Sequence, residues 1–217
     1  MNSVKIKSRR RSRSAYHHGD LRQQLLRAAE EIILELGVDG FSLREAARRA
    51  GVSPAAPAHH FKDARGLLTA LATLAFQQFG AALEKADAAG GADPARRLHE
   101  QGVAYVHFAL EQPARFQLMF RTEKLDTNDE EFATAARHAY EVLEGAIRAA
   151  TDTSDKQQLT DSGYGLLLAI WSIVHGFAHL ALGGQVRDAQ RNRVSHAAVL
   201  RDLLPLMLQH LPVKQRT

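Results

Sequence analysis

Two histidines in the last third of the chain have the spacing that a metal site requires. His175 and His179 are four residues apart, so on a helix they lie one turn apart on the same face and could bind one metal ion. His107 or His138 would have to complete the ligand set. No carboxylate stands at a helpful position on that helix, and a histidine among apolar residues is more often a satisfied core or interface residue than a ligand. We expect neither a metal nor a cofactor, and a metal-dependent enzyme remains only as an alternative.

Other catalytic arrangements are missing from the sequence. The 217 residues include no cysteine, which excludes disulfides, thiolate metal sites and thiol nucleophiles. Glycine-rich phosphate loops, the HExxH zinc motif and the nucleophile elbow are not found either. Since no secretion signal and no uninterrupted apolar stretch of membrane length is recognisable, we expect a cytoplasmic protein that does not enter a membrane.

A basic segment at the N-terminus is the main charge feature. Residues 1–66 carry 13 Lys and Arg against 7 Asp and Glu, whereas the remainder carries 15 against 17. Six of these cations precede residue 15, where almost nothing apolar can be buried: Lys5, Lys7, Arg9, Arg10, Arg11 and Arg13. Such a segment is expected to be disordered alone. It either lies along phosphates or in a DNA minor groove, or it serves only as a solubilising tail.

A long amphipathic helix is predicted directly after this segment. Apolar residues recur every three or four positions between Leu21 and Leu36, with Asp20 available as N-cap and Gly37 as the stop. One apolar face of this helix must therefore pack against the elements that follow.

Two shorter helices separated by a glycine turn come next. Ser42 and Glu45 are spaced as a capping box that opens the first of them. After a tight turn at Gly51, Ser53 caps the second, with Pro54 at its first position, where a missing N–H is harmless. Two short helices joined by a glycine turn, behind a longer supporting helix and a basic arm, are the helix-turn-helix arrangement.

The same residues resemble a known family. The chain resembles the DNA-binding domain of the TetR family of transcriptional repressors over the run GFSLREAARRAGVSPAAPAHHFKDARGLLTAL, and one branch of that family over the preceding YHHGDLRQQLL. It is also similar to that branch's C-terminal domain over IWSIVHGFAHLALGG, which contains a Trp-x-x-x-His-Gly signature, and over PARFQLMF. The resemblance implies an all-α protein with a basic disordered arm at 1–18, a helix-turn-helix domain at 19–66, and an effector-binding and dimerisation domain at 67–217.

In a helix-turn-helix the first residues of the second short helix approach the base edges in the major groove. Here they are Pro54, Ala55, Ala56, Pro57 and Ala58, which can read DNA only by apolar contact, chiefly with thymine methyl groups. Arg44 is then the best polar candidate for base contact. The other predicted DNA contacts are Ser42, Ser53, His59, His60, Lys62, Arg9, Arg10, Arg11 and Arg13. We expect specificity to depend on DNA shape and on the arginine arm.

Two positions depart from the family pattern. Ala58 stands where the family usually has an aromatic residue before the His-Phe pair, which removes a hydroxyl suited to phosphate. Pro57 deletes an intrahelical hydrogen bond and disfavours helical dihedral angles at Ala56. We therefore expect a short or distorted second helix and lower DNA affinity per domain.

The remainder of the chain is predicted to be helical. With Asp63 as N-cap, a long helix leads to a Gly-Gly-x-x-Pro linker that begins at residue 90. Further helices are expected at about 95–111, 113–120, 128–150, 156–182 and 187–209. No strand pattern is present.

The predicted helix that contains residues 164–182 is apolar on nearly all sides, so it has two faces to bury. One face can pack within its own domain. The TetR resemblance implies that the other face and the final helix form a four-helix interface with a second copy. Such a homodimer suits a pseudo-palindromic operator in double-stranded DNA. A monomer with a thick core is the alternative.

Several large side chains on these helices are suited to line a pocket for a small-molecule effector. They are Tyr105, Phe108, Phe116, Met119, Phe120, Tyr140, Trp171 and His175. Such a lining favours an apolar or aromatic ligand, with His175 or Tyr140 as hydrogen-bond partner, unless these residues simply fill the core. The sequence thus indicates a ligand-responsive DNA-binding regulator, most simply a repressor. A constitutive DNA-binding dimer without an effector is the nearest alternative.

Overall fold

A computed structural model describes the backbone of residues 13–186, the side chains from residue 21 onwards, and Leu206. Across these residues the chain is helical and contains no strand, which confirms the predicted fold class. It divides into two compact units, Met1–Leu67 and Leu68–Thr217. The arm residues Arg9, Arg10 and Arg11, and the predicted final helix apart from Leu206, lie outside the described residues.

Within the described residues, the N-terminal unit contains three α-helices, a short 3-10 helix at Val38–Gly40 and the beginning of a further α-helix. The α-helices are α1 (Arg13–Leu36), α2 (Leu43–Arg49), α3 (Ala58–Phe61) and α4 (Ala64–Gly90), which continues into the second unit. The core forms where α1 packs on α2, and it contains Ala28, Ile32 and Ala46, with Phe41 beside them.

The start of α1 differs from the prediction. The helix begins at Arg13 rather than near Leu21, so residues 13–18, expected to belong to a disordered arm, are helical. Once a helix has formed, each added residue costs little, and this stretch contains no proline to stop it. Disorder was predicted from the composition of this segment alone, without the helix that follows it.

The turn after α2 has a defined backbone geometry. The Val52 N–H donates to the Ala47 carbonyl at 3.0 Å, and the Gly51 N–H donates to the Arg48 carbonyl at 3.2 Å. This pair of bonds is a Schellman motif. Gly51 has a φ of 68°, which residues with a Cβ atom adopt only with strain. Glycine at this position therefore sets the path of the chain between α2 and α3.

The second unit is built around one central helix. In addition to α4 it contains α5 (Pro94–Glu111), α6 (Pro113–Met119), α7 (Glu130–Ala150) and α8 (Asp161–Leu182). α5 packs against α6, α7 and α8. Three N-cap side chains accept backbone hydrogen bonds and set the helix starts: Asp93, Asp129 and Thr160. α8 begins five residues later than predicted because Thr160 caps it.

α4 and α8 are long and apolar enough to cross a membrane by length and composition alone. In the most apolar window of each helix, 61% of α4 is buried inside the protein but only 28% of α8. Core packing explains the apolar composition of α4, since a helix buried in a protein core is also long and apolar. α8 instead exposes a row of large apolar side chains, of which Tyr164, Leu168 and Leu180 are about half exposed.

Candidate nucleic-acid interface and ligand cavity

The exposed surface of α2 gathers several residues predicted to contact DNA. A groove at this surface is lined by Ser42, Arg44, Glu45, Arg48, Val52 and Pro54. Ser42, Arg44 and Pro54 were predicted from the sequence. Arg48 was not, although it follows Arg44 by one helical turn, which is the signal that would have found it.

An ion-pair network holds the basic residues of α2 in place. Glu45 accepts hydrogen bonds from Arg48 at 2.7 Å and from Arg49 at 3.0 Å, and Arg49 also reaches Glu35 of α1 at 2.6 Å. The hydrogen bonds from Arg48 and Arg49 lower the pKa of Glu45 to about 2. The predicted capping box is therefore wrong. Ser42 is the N-cap residue, but its side chain makes no capping bond, and Glu45 is engaged by the arginines instead.

Arg44 differs from its basic neighbours on α2. Its side chain is exposed, and it forms no salt bridge within the part of the chain that the structure describes. A guanidinium without an intramolecular carboxylate keeps its donors available for phosphate or for a guanine edge. Arg44 is thus the α2 cation best prepared to bind DNA.

The second short helix starts later than predicted. It was expected to open at Pro54, but residues 54–57 form successive turns, in which the Ala56 N–H donates to the Ser53 carbonyl at 3.0 Å. α3 begins only at Ala58 and spans four residues. The expected shortening is confirmed, and its cause is Pro57, which has no N–H to extend the helix backwards.

Most of the other predicted contact residues are accessible. Ser53, Pro54, Ala55, His59 and Lys62 are exposed, whereas Ala56 and His60 are half-buried. Arg13 begins α1, and its side chain lies outside the described residues. The predicted apolar readout by residues 54–56 thus falls on a turn rather than on a helix.

The junction between α3 and α4 is tight. Lys62 has φ 65° and ψ −59°, and the Asp63 N–H donates to the Phe61 carbonyl at 2.7 Å, so Lys62 is the centre of a strained γ-turn. Asp63 accepts a hydrogen bond from the Gly66 N–H at 2.9 Å, which confirms its predicted role as N-cap. A Cβ atom on Gly66 would lie 2.0 Å from the Phe61 carbonyl oxygen, so only glycine fits there.

A cavity of about 330 Å³, partly open to the protein surface, lies in the second unit. Five of the eight predicted ligand residues line it: Tyr105, Met119, Phe120, Tyr140 and Trp171. Sequence reasoning missed further lining residues, among them Phe76, Phe79, Gln101, Phe132 and Ile170. Gln101 could have been noticed, since it is a polar residue in the buried stripe that runs from Leu98 to Tyr105.

The other three predicted residues stand behind the cavity wall. Phe108 packs its ring 5.2 Å from that of Phe79, and Phe116, which is fully buried, lies 5.7 Å from the ring of Tyr105. His175 places Nδ1 2.6 Å from the Tyr105 hydroxyl. These residues hold lining rings in position, and none of the three lines the cavity itself.

The polar groups around the cavity are neutral. Burial raises the pKa of Tyr105 far above its ordinary value and raises that of Tyr140 to about 12. Burial, with a smaller contribution from His179, lowers the pKa of His175. The hydrogen bond between the Tyr105 hydroxyl and His175 Nδ1 therefore joins two neutral groups. No Asp, Glu, Lys or Arg is among the lining residues, so the cavity offers no charge to a ligand.

The four histidines considered as metal ligands do not form one cluster. The rings of His175 and His179 are 4.6 Å apart, but His107 pairs with Glu111 at 3.2 Å and His138 with Glu84 at 3.1 Å. Across the described residues, no three His, Asp or Glu side chains are placed to hold one metal ion. The ligand set of the metal-enzyme alternative is therefore not assembled.

A helix-turn-helix unit followed by a helical unit with an apolar cavity defines a class of protein, the DNA-binding transcriptional regulators. Residues 25–71 match the family model for bacterial regulatory proteins of the tetR family. Residues 98–203 match the model for the tetracyclin repressor-like C-terminal domain. The chain therefore belongs to the TetR family and is a DNA-binding transcriptional regulator. Its assignment to the branch with the Trp-x-x-x-His-Gly signature stays a prediction.

Solved structures show the same fold. A protein of unknown function from Rhodococcus sp. RHA1 is 32% identical, with a TM-score of 0.69, and the match covers 91% of this chain and 98% of that one. The TetR family transcriptional regulator PfmR from Thermus thermophilus is 22% identical, with a TM-score of 0.62 and coverage of 87% and 98%. A TetR family regulator from Marinobacter aquaeolei is 18% identical, with a TM-score of 0.65 and coverage of 93% and 100%. No curated protein matches the sequence.

Proposed function

We propose that this regulator is a homodimeric repressor, and that a small apolar or aromatic molecule binds in the cavity and releases it from its operator. It acts in the cytoplasm by binding alone, without catalysis and without a cofactor. The observation that carries the proposal is the cavity, because a concave site lined mainly by apolar and aromatic side chains with a few polar groups is typical of small-molecule binding sites.

The size of the cavity sets the size of the effector. A protein cavity of about 150 Å³ accommodates benzene, so about 330 Å³ corresponds to about a dozen non-hydrogen atoms. If such a ligand prefers one arrangement of the dimer, its differential affinity shifts the protein towards or away from DNA. A constitutive DNA-binding dimer would have no need of this space.

The exposed apolar face of α8 supports a homodimer. Leu168 and Leu180 are both about half exposed on a helix whose most apolar window is only 28% buried. In a homodimer the same α8 face of a second copy would pack against this one about a two-fold axis, which is the most common arrangement of homodimers. Two helix-turn-helix units would then meet half-sites one helical turn apart, as expected for a pseudo-palindromic operator.

In the proposed complex, the α2 surface contacts the DNA. Arg44 would contact bases or phosphates directly, with Ser42 beside it and Arg48 held nearby by Glu45. Lys62, His59 and the basic N-terminal residues would bind the phosphate backbone. The turn at residues 54–57 would make apolar contacts with thymine methyl groups.

The test uses the full chain and two labelled duplexes, the DNA upstream of its own gene and a shuffled duplex of the same composition. Fluorescence anisotropy across a salt series should show a preference for the cognate duplex that persists at physiological salt. Equal binding to both duplexes that disappears as salt rises would contradict a specific regulator. Sedimentation equilibrium of the same sample should give a dimer, and a monomer would overturn the proposed assembly.

Release by an effector is tested separately on the complex with the cognate duplex. Neutral compounds of one or two aromatic rings should include at least one that lowers the affinity for DNA. If compounds bind the protein but none changes its DNA affinity, the constitutive dimer is correct and the repressor mechanism is wrong.

A further inference from the structure

One polar side chain in the cavity wall has an unusual environment. Gln101 on α5 is 4% exposed and lines the cavity. Its Nε2 atom donates to Asp87 Oδ1 at 2.7 Å and to the Val142 carbonyl at 3.3 Å. Both amide hydrogens therefore face acceptors, and this fixes which end of the amide is nitrogen and which is oxygen.

The partner of this amide is itself held rigidly. Asp87, near the end of α4, accepts two hydrogen bonds from Arg97 of α5, at 2.8 and 2.7 Å. Val142 belongs to α7, so groups on α4, α5 and α7 together determine the position of the Gln101 side chain. Such an amide cannot rotate to suit its surroundings without losing both bonds.

The oxygen of the same amide has no partner. Gln101 Oε1 is the one buried side-chain nitrogen or oxygen atom, within the described part of the chain, that makes no hydrogen bond. Leaving a buried acceptor unpaired costs about 1–3 kcal/mol, so native proteins rarely do so without a reason. The Tyr105 hydroxyl, the polar group on the same helix face one turn along, already bonds to His175.

We propose that the ligand of this cavity is a neutral, largely apolar molecule that carries one hydroxyl or N–H group, and that this group donates a hydrogen bond to Gln101 Oε1. The inference rests on the proposed function in that it takes the cavity to be the effector site. A ligand with a charge is disfavoured because no charged side chain lines the cavity to pair with it. A pure hydrocarbon would fill the space but would leave the oxygen unpaired.

The test compares two probes that differ only in a hydroxyl group replacing a methyl group, 2-naphthol and 2-methylnaphthalene. Isothermal titration calorimetry of the full chain should give about tenfold tighter binding of 2-naphthol. Two further probes separate the effect of hydrogen-bond donation from the effects of an oxygen atom and of a charge. 2-Methoxynaphthalene, which accepts but cannot donate, should bind no better than 2-methylnaphthalene, and the carboxylate 2-naphthoate should bind more weakly than either.

The variant Gln101→Met keeps the length of the side chain and removes the acceptor. It should lose the preference for 2-naphthol while it binds 2-methylnaphthalene as the wild type does, which also shows that the cavity is intact. Gln117→Met is the matched control, because it makes the same substitution at an exposed position of α6 outside the cavity lining. In this control the preference should remain.

Equal affinity of the wild type for 2-naphthol and 2-methylnaphthalene would overturn the inference, and so would a preference that persists in Gln101→Met. Failure of all four probes to bind would overturn it as well. These results differ from failure of the proposed function, which is measured on DNA. If 2-naphthol is preferred through Gln101 but leaves the DNA complex unchanged, the ligand class is correct and effector release is not.

Discussion

In the N-terminal unit several charged side chains pair with one another at the surface of α2, whereas in the C-terminal unit two polar side chains of the cavity wall, Gln101 and Tyr105, are buried and neutral. Glu45 joins Arg48 and Arg49 at the surface of α2, while Gln101 and Tyr105 are at least nine-tenths buried. The difference follows from the ligands. A polyanion in water is bound by cations held at fixed positions, and an apolar molecule is bound by dry space with one or two oriented dipoles.

The two units also differ in how much room they have. At the α3–α4 junction a single added methyl group would collide with the backbone of Phe61, whereas the cavity of the second unit could accept a whole ring. The α3–α4 junction is therefore sensitive to added atoms, whereas atoms added to the cavity wall should increase the stability of the C-terminal unit. Four predictions test this contrast, beginning with the largest expected effect.

Gly66→Ala should destabilise the protein by about 3 kcal/mol, because the new Cβ atom would lie 2.0 Å from a carbonyl oxygen that belongs to the backbone and must move. Urea unfolding followed by circular dichroism measures the change. Gly145→Ala is the matched control on α7, where no atom lies within 4 Å of the added Cβ atom. It should be neutral or stabilise the protein by up to about 1 kcal/mol. Equal stability of the two variants would contradict the tight junction.

Arg44→Ala should weaken binding to the cognate duplex by about 10- to 100-fold, because a side chain that contacts bases or phosphates loses about 1–3 kcal/mol on removal. Anisotropy titrations at several salt concentrations provide the measurement. Arg137→Ala, which removes an equally exposed arginine from α7, should leave the affinity within about twofold of the wild type. Similar losses in both variants would mean that only overall charge matters.

Ala136→Phe should stabilise the protein by about 1 kcal/mol and abolish ligand binding, since Ala136 lines the cavity and a ring there occupies part of it. Thermal unfolding and calorimetry with 2-naphthol measure the two effects. Ala133→Phe makes the same change one turn earlier on α7, outside the cavity lining, and should not block the ligand. Loss of stability in Ala136→Phe would show that the space is not free to be filled.

His175→Gln should reduce the pH dependence of stability. Burial lowers the pKa of His175 in the folded protein below its ordinary value of 6.5, so the folded state favours the neutral ring. The lowered pKa therefore contributes to the free energy of unfolding. This contribution is fully present above pH 6.5 and is lost as the pH falls towards the lowered pKa. Wild type should thus lose more stability than the variant between neutral pH and about pH 5. Parallel curves for both proteins would contradict the burial of a neutral ring.

The fold was predictable wherever local signals are strong. Helical periodicity located the starts of α4, α5, α6 and α7 to within two residues, and Asp63 was predicted as the N-cap of α4 because an N-cap acts on its own neighbours. Pro57 allowed the shortened α3 to be predicted for the same reason. The choice between a capping box and an ion pair at Glu45 was not predictable, because the capping box and the ion pair with Arg48 both span three residues.

The cavity was predictable only in part. The aromatic residues of α5 and α6 attracted attention, but Phe108 and Phe116 stand behind the wall, while Phe76 and Phe79 of α4 line it. Spacing along one helix cannot show this, since the lining depends on how neighbouring helices are rotated against each other. Gln101 carried a local signal as a polar residue among apolar ones, and its unpaired oxygen became visible only with Asp87 and Val142 in place.

The strained backbone of Lys62 implies a conflict between selection for stability and selection for DNA binding. A non-glycine residue at φ 65° costs about 1–3 kcal/mol, which glycine would recover, and glycine would also remove a cation from the surface. A library screened only for heat resistance should therefore enrich Lys62→Gly, and the enriched proteins should bind the operator less well. Retention of lysine at this position is the expected mark of selection acting on DNA binding.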